Sequence, residues 1–332
     1  MKLRYPACFH QFRCIAAACP DSCCKEWDVL VDEASAQFYQ TLPGDLGRSL
    51  RRHLYQEDGA WYFAIEDGRC PMWRADGLCR IQAELGHDAL CGTCRQFPRL
   101  THDYGDFIEH GLELSCPEVA RMLFAGADTT WIEEELPGGE APEYHSADME
   151  ILLRTRNVML TILADETHSV PEILALALLY GYRAQAELDG DDEALFDPAS
   201  ELAFGRSAAK PGRPADIVDF YKNLEILTET WKNRLATPLF PKPWDPRLRI
   251  LARYGVERYW LQTISDFDLV GRVKMVALSC MLVHFLGGNL EETAQLYAKE
   301  IENNASNVDA ILDGAYTSPA LTDDKLLGIL LA

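Results

Sequence analysis

The chain has 332 residues, an apolar fraction of 48% and a formal net charge of −21. This length and apolar content exclude a disordered chain and suffice for two domains with a sizeable core. The acidic balance disfavours nucleic acid as a partner, because that binding rests on Lys and Arg neutralising phosphates, and it is compatible with solubility or with a basic partner.

The opening MKLRYPACFHQFRC has no long apolar segment of the secretory kind, so a cytoplasmic protein is expected. Residues 32–39 and 46–55 read as helices, and WYFAIED at 61–67 as a strand. Asp67-Gly68 and Asp76-Gly77 mark turns. Residues 97–114 read as a hairpin with Asp103 to Asp106 at its tip. Pro117 and Glu118 open a helix behind Cys116, with Pro at its first position and an acid in its first turn, and Gly126 closes it.

Residues 127–146, acidic and containing Pro137-Gly138-Gly139 and Pro142, read as a linker. Helical periodicity then dominates, with apolar residues at three- and four-residue spacing from residue 147 to about 189. A loop is expected at 190–213, and one long helix from Pro214 through Trp231 to Leu235. Further helices are expected at 245–264, 267–287, 290–303 and 323–331. The longest apolar stretch, residues 273–286, is interrupted by Lys274 and His284 and is too short to span a bilayer, so no transmembrane segment is expected. The predicted fold is mainly α: a small α+β, Cys-rich domain over residues 1–126, followed by an α-helical bundle over 127–332. Nothing in the pattern indicates an oligomeric state.

Ten of the eleven cysteines precede residue 117, and only Cys280 follows. One group is Cys14, Cys19, Cys23 and Cys24, within eleven residues; the other is Cys70, Cys79, Cys94 and Cys116. A reducing compartment disfavours a disulfide framework. Thiolates in such numbers suit zinc or an iron–sulfur centre, and ligation contributes folding energy. Adjacent Cys23 and Cys24 point in different directions in most backbone conformations, so they serve two centres or only one of them ligates. Cys91-x2-Cys94 has the spacing of a metal knuckle. Cys116 lies at a helix N-terminus, where the dipole favours a thiolate. Cys8 and Cys280 read as buried small apolar residues. Zinc and iron remain equally open on spacing alone.

No G-x-G-x-x-G after a strand, no Walker motif and no G-x-S-x-G elbow is present. The histidines, including His10, His53, His87, His102 and His110, are scattered. Polar candidates in the helical half are Asp266, Asp268, Arg272, Lys274, Glu300 and Glu302, whose ordinary reading is a solvated helix face. Arg95 and Arg99 lie close to Cys94.

FRCIAAACPDSCCKEW at 12–27, RCPMWRADGLCRIQAELGHDALCGTCRQFPR at 69–99 and LELSCPEVA at 112–120 resemble the signatures of flagellin lysine-N-methylases of the FliB type. SDFDLVGRVKMVALSC at 265–280 and LYAKEIENNASN at 296–307 resemble looser segments of the same family, with Asn303 where a His is expected. The Cys-rich part is also similar to a broader zinc- or iron-chelating class. The resemblance implies methyl transfer from S-adenosylmethionine to lysine ε-amino groups of flagellin or another Lys-bearing protein, and a 4Fe–4S cluster, with zinc as the alternative. The family cysteines map onto Cys14, Cys19, Cys23, Cys24, Cys70, Cys79, Cys94 and Cys116. A non-enzymatic iron–sulfur or zinc protein, acting as metal sensor, chaperone or interaction module, is the alternative expectation.

Overall fold

The structure is a computed structural model, and residues 1–25, 29–139, 141–191 and 195–332 are described. Within the first 135 residues, β1 (Lys2–Pro6), β2 (Val29–Val31), α1 (Glu33–Thr41), α2 (Gly44–His53), β3 (Leu54–Glu57) and β4 (Ala60–Phe63) come first. They are followed by α3 (Arg80–Leu85), α4 (Gly92–Gln96), β5 (Arg99–Asp103), β6 (Phe107–Leu112), α5 (Pro117–Phe124) and β7 (Trp131–Glu135). These strands form two small sheets. One has the order β2-β4-β3 and is antiparallel; the other has the order β5-β6-β1-β7, with β1 parallel to β6 and antiparallel to β7.

The local chemistry explains these elements. Asp32 caps α1 by accepting from Ser35 N at 2.9 Å, and its other carboxylate oxygen accepts from Gly92 N at 2.7 Å at the start of α4. The β5–β6 hairpin turns where expected, with Gly105 at φ +86° donating to Asp103 Oδ1 at 2.9 Å. Pro117 stands at the first position of α5, and Gly126 at φ +86° follows its end.

The helical half comprises α6 (Ser146–Ala164), α7 (Val170–Leu188), α8 (Pro198–Ala208), α9 (Pro214–Lys222), α10 (Glu229–Ala236) and α11 (Leu248–Tyr259). It continues with α12 (Leu269–Leu286), α13 (Leu290–Tyr297), α14 (Ala305–Thr317) and α15 (Asp323–Leu330). Ser169 and Glu172 form a capping box at α7, and Asp197, Thr228, Asp268, Asn289 and Asn304 cap α8, α10, α12, α13 and α14 through their side chains. The chain is thus mainly α with an α+β N-terminal part.

Helix α12 is the axis of the bundle, and every one of its residues is buried. It is long and apolar enough to cross a membrane by length and composition, yet its whole length packs inside the protein. Two glycines permit that packing. A Cβ on Gly181 of α7 would stand 3.0 Å from Val273, and one on Gly255 of α11 would stand 2.8 Å from Val276.

Two apolar cores result. The larger joins the helices to the four-stranded sheet through Tyr5, Phe9, Phe12, Phe107 and Leu112. The smaller lies among β2, α1, α2 and β4 and contains Val29, Val31, Tyr39, Leu50, Phe63 and Met72.

Several elements differ from the sequence expectation. Residues 127–146, expected as a linker, contain β7, which completes the four-stranded sheet against β1. The expected loop at 190–213 contains α8, whose Pro198 occupies the first helical turn and is compatible with a helix there. The single helix expected from Pro214 to Leu235 is two, because Thr228 starts α10 as its cap. Residues 54 and 55, expected at the end of a helix, open β3. Helix α13 ends in a π-type turn over Ala298–Glu302.

Candidate functional site

The cysteine segment folds as loop and turn, with short 3-10 turns at Phe9–Gln11 and Ala16–Ala18. Hydrogen bonds from Cys70 N to Cys24 O at 2.7 Å and from Arg80 N to Met72 O at 2.7 Å gather the second cysteine region beside the first. All eleven cysteines are free thiols.

Their mutual influence divides the family cysteines into two sets that the sequence order does not follow. Cys23 has Cys24, Cys14 and Cys116 as neighbours, Cys116 has Cys19 and Cys14, and Cys19 has Cys14. Cys70 has Cys24, Cys79 and Cys91, Cys79 has Cys24 and Cys91, and Cys94 has Cys91 and Cys24. Cys116 therefore sides with the first loop. Cys24 leaves that loop for Cys70, Cys79 and Cys94, which pack at the edge of the smaller core. Cys23 and Cys24, although linked by a side-chain hydrogen bond, face different sets. Cys94 also has Cys23 among its neighbours, so the two sets adjoin.

Burial pushes Cys70 up to about 12 and Cys116 up to about 11, while the hydrogen bond from Cys23 lowers Cys24 to about 7. The Cys91–Cys94 hydrogen bond lowers Cys91 and raises Cys94. Desolvation of this kind disfavours thiolates unless a cation stands beside them. The first set has four thiols and the second, with Cys91, has five, enough sulfur donors for zinc or an iron–sulfur cluster in each. Among the described residues, however, no three His, Cys, Asp or Glu side chains converge as metal ligands do. Cys8 and Cys280 are buried apart from both sets, and Cys280 sits in the core of the bundle.

The polar candidates of the helical half are engaged in structural pairs. Asp266 binds Arg272 in two contacts of 2.8 Å, and Asp268 caps α12. Lys274 donates to Ala315 O and lies 3.1 Å from Asp323. Glu300 accepts from Leu227 N at 2.8 Å. Glu302 accepts from Tyr254 at 2.6 Å, and burial raises its pKa. Arg95 donates to Asp88 O, and Arg99 lies over Phe9 and Phe12.

A second feature escapes sequence reasoning. A cavity of about 270 Å³ lies between the four-stranded sheet and α11. Leu100, Leu112, Leu123 and Ile250 supply apolar wall, and His102, Glu109, Trp131, Glu257 and Arg258 supply polar groups. Arg156 holds Glu109 in two contacts of 2.7 Å, and Arg4 adds a third at 2.9 Å. Burial raises Glu257 against the opposing pull of Arg253, which donates to it at 2.9 Å. Burial, then the Arg258 charge, lowers His102. These groups come from β5, β6, β7 and α11, far apart in sequence, so no local motif announces them.

No family model and no solved structure matches the chain. Over 137 residues it is 31% identical to proteins named lysine-N-methylase from Salmonella typhimurium and Salmonella choleraesuis. That alignment covers 39% of this chain and 34% of each relative, so the match spans about a third of their length. Also over 137 residues, the chain is 31% identical to the flagellar biosynthetic protein FliU of Salmonella muenchen, and this covers 81% of that protein. The chain belongs to the flagellin lysine-methylase family of the FliB/FliU type.

Proposed function

We infer that the protein is an S-adenosylmethionine-dependent lysine N-methyltransferase acting on ε-amino groups of flagellin in the cytoplasm. The similarity to proteins named lysine-N-methylase carries this reading, and the FliU relative supports a flagellar substrate. The reaction needs a neutral amine, because an ammonium has no free electron pair, and it needs that amine held in line with the sulfonium methyl.

The reading includes a 4Fe–4S cluster. Cys14, Cys19, Cys23 and Cys116 would hold one all-sulfur centre, and Cys24, Cys70, Cys79 and Cys94 a second. The gathering of Cys14, Cys19, Cys23 and Cys116 in one neighbourhood, and of Cys24, Cys70, Cys79 and Cys94 with Cys91 in another, supports that assignment. An iron–sulfur centre would contribute folding energy or redox chemistry, since the methyl displacement itself needs no iron.

The test is incubation of the anaerobically purified protein with S-adenosylmethionine and flagellin from the same genome, followed by mass spectrometry. Gains of 14 Da per methyl at lysines are expected, an increment fixed by replacing N–H with N–CH₃. Flagellin that gains no methyl group would overturn the reading. Brown protein containing iron is expected; colourless protein with stoichiometric zinc would replace the cluster with a zinc site.

A further inference from the structure

Among the described residues, three buried polar atoms on the lining of the cavity beneath α11 find no hydrogen-bond partner: His102 Nε2, Trp131 Nε1 and Arg258 Nη1. Buried polar atoms normally find partners, so three around one cavity point to a polar guest. The rest of the wall is largely apolar. Such a space suits a ligand with an apolar stem and a polar tip, which describes a lysine side chain. A neutral imidazole whose Nε2 is unpartnered is an acceptor once Nδ1 carries the hydrogen. In the same wall Arg258 opposes a second positive charge, while Glu109 and Glu257 would attract the ammonium that must lose its proton.

We propose that this cavity receives the substrate lysine side chain and that His102 Nε2 accepts the proton its ammonium loses before methylation. This rests on the lysine-methylation reading. The ammonium gives one proton to imidazole, leaving a neutral amine and an imidazolium. The amine lone pair then forms the N–C bond to the methyl of the sulfonium donor. The C–S bond breaks with its electron pair on sulfur, leaving a neutral thioether and a methylammonium. The imidazolium returns its proton to water. The groups that shift His102 are Arg258, which disfavours the imidazolium, and Glu109, which favours it; the Tyr104 ring lies beside it, and His110 of β6, Trp131 of β7 and Arg253, Tyr254 and Glu257 of α11 share the cavity wall.

The test uses the full chain, S-adenosylmethionine and flagellin, with kcat and KM taken from methyl-lysine formation across pH. His102→Gln keeps a hydrogen-bonding side chain but takes no proton at neutral pH. It should lower kcat by about 10²–10⁴-fold, as loss of a general base does, leave KM little changed, and abolish the fall in wild-type activity on acidification. Thr129→Trp, at the partly exposed rim, should raise KM for flagellin and weaken its binding in the absence of donor, with iron content and melting temperature unchanged. If the wild type methylates flagellin and both variants match it in KM, kcat and pH profile, the lysine chamber lies elsewhere. If His102→Gln does not fold, the rim variant decides by the same KM and binding criteria. A wild type without methylation overturns the parent reading, and this inference with it.

Discussion

Asp32 shows how one side chain can position a distant turn. Its carboxylate caps α1 and accepts from Gly92 N, so it fixes the segment carrying Cys91 and Cys94. These bonds hold its carboxyl below the ordinary value of 3.8, the Gly92 amide contributing most. The folded value is the depressed one, so this contribution is present above pH 4 and is lost as pH falls through the folded pKa. Asp32→Ala should cost about 1–2 kcal/mol in urea denaturation at pH 7, and the difference from wild type should shrink at pH 3. The Arg156–Glu109 pair is a harsher case. Arg156 is 1% exposed, and Arg156→Met leaves Glu109 buried with only Arg4 of its two guanidinium partners, so it should cost about 3 kcal/mol by urea denaturation. Adding Glu109→Leu should recover part of that loss.

Among the elements, α12 depends on its neighbours having no side chain at the crossing points. Gly255→Ala should destabilise the fold by about 1–3 kcal/mol as overpacking against Val276, and Val276→Ala should restore most of it. A double-mutant cycle by thermal denaturation measures that coupling. The elements that sequence revealed are those with local chemistry: the β5–β6 hairpin with its Asp-Tyr-Gly-Asp tip, and α5 with its Pro and Gly ends. Strand β7 was hidden because four of its five residues are exposed, so it has no apolar alternation and exists only by pairing with β1. Helix α8 was masked by the Pro and Ser residues that open it. The eight thiols were legible as candidate donors because sulfur chemistry is local to a residue. Their division was not, since Cys116 reaches the first loop only through the tertiary fold. Likewise, the cavity residues His102, Trp131 and Arg258 share a wall solely because the sheet faces α11.

At the scale of the whole molecule, the two thiol sets adjoin different cores. Cys116 belongs to the larger, and Cys70 to the smaller. With one centre per set, Cys23→Ser and Cys24→Ser should each lose a different metal equivalent despite altering adjacent residues, which metal analysis of the two purified variants would resolve. Equal and complete loss in both variants would indicate a single shared centre. With the proposed centres filled, chelation should lower the melting temperature, because ligation energy is folding energy.

The ion pair between Asp21 and Lys299, 2.7 Å long, joins positions 278 residues apart. Lys299 is almost fully buried, so this bond belongs to the finished bundle. A ribosome adding about 5–20 residues per second needs roughly tens of seconds between making these two residues. During that interval the cysteine loop has emerged, held by the bond from Cys70 N to Cys24 O but not yet tied to the bundle through Lys299. The tie between the cysteine loop and the bundle is therefore among the last contacts that synthesis allows the chain to make.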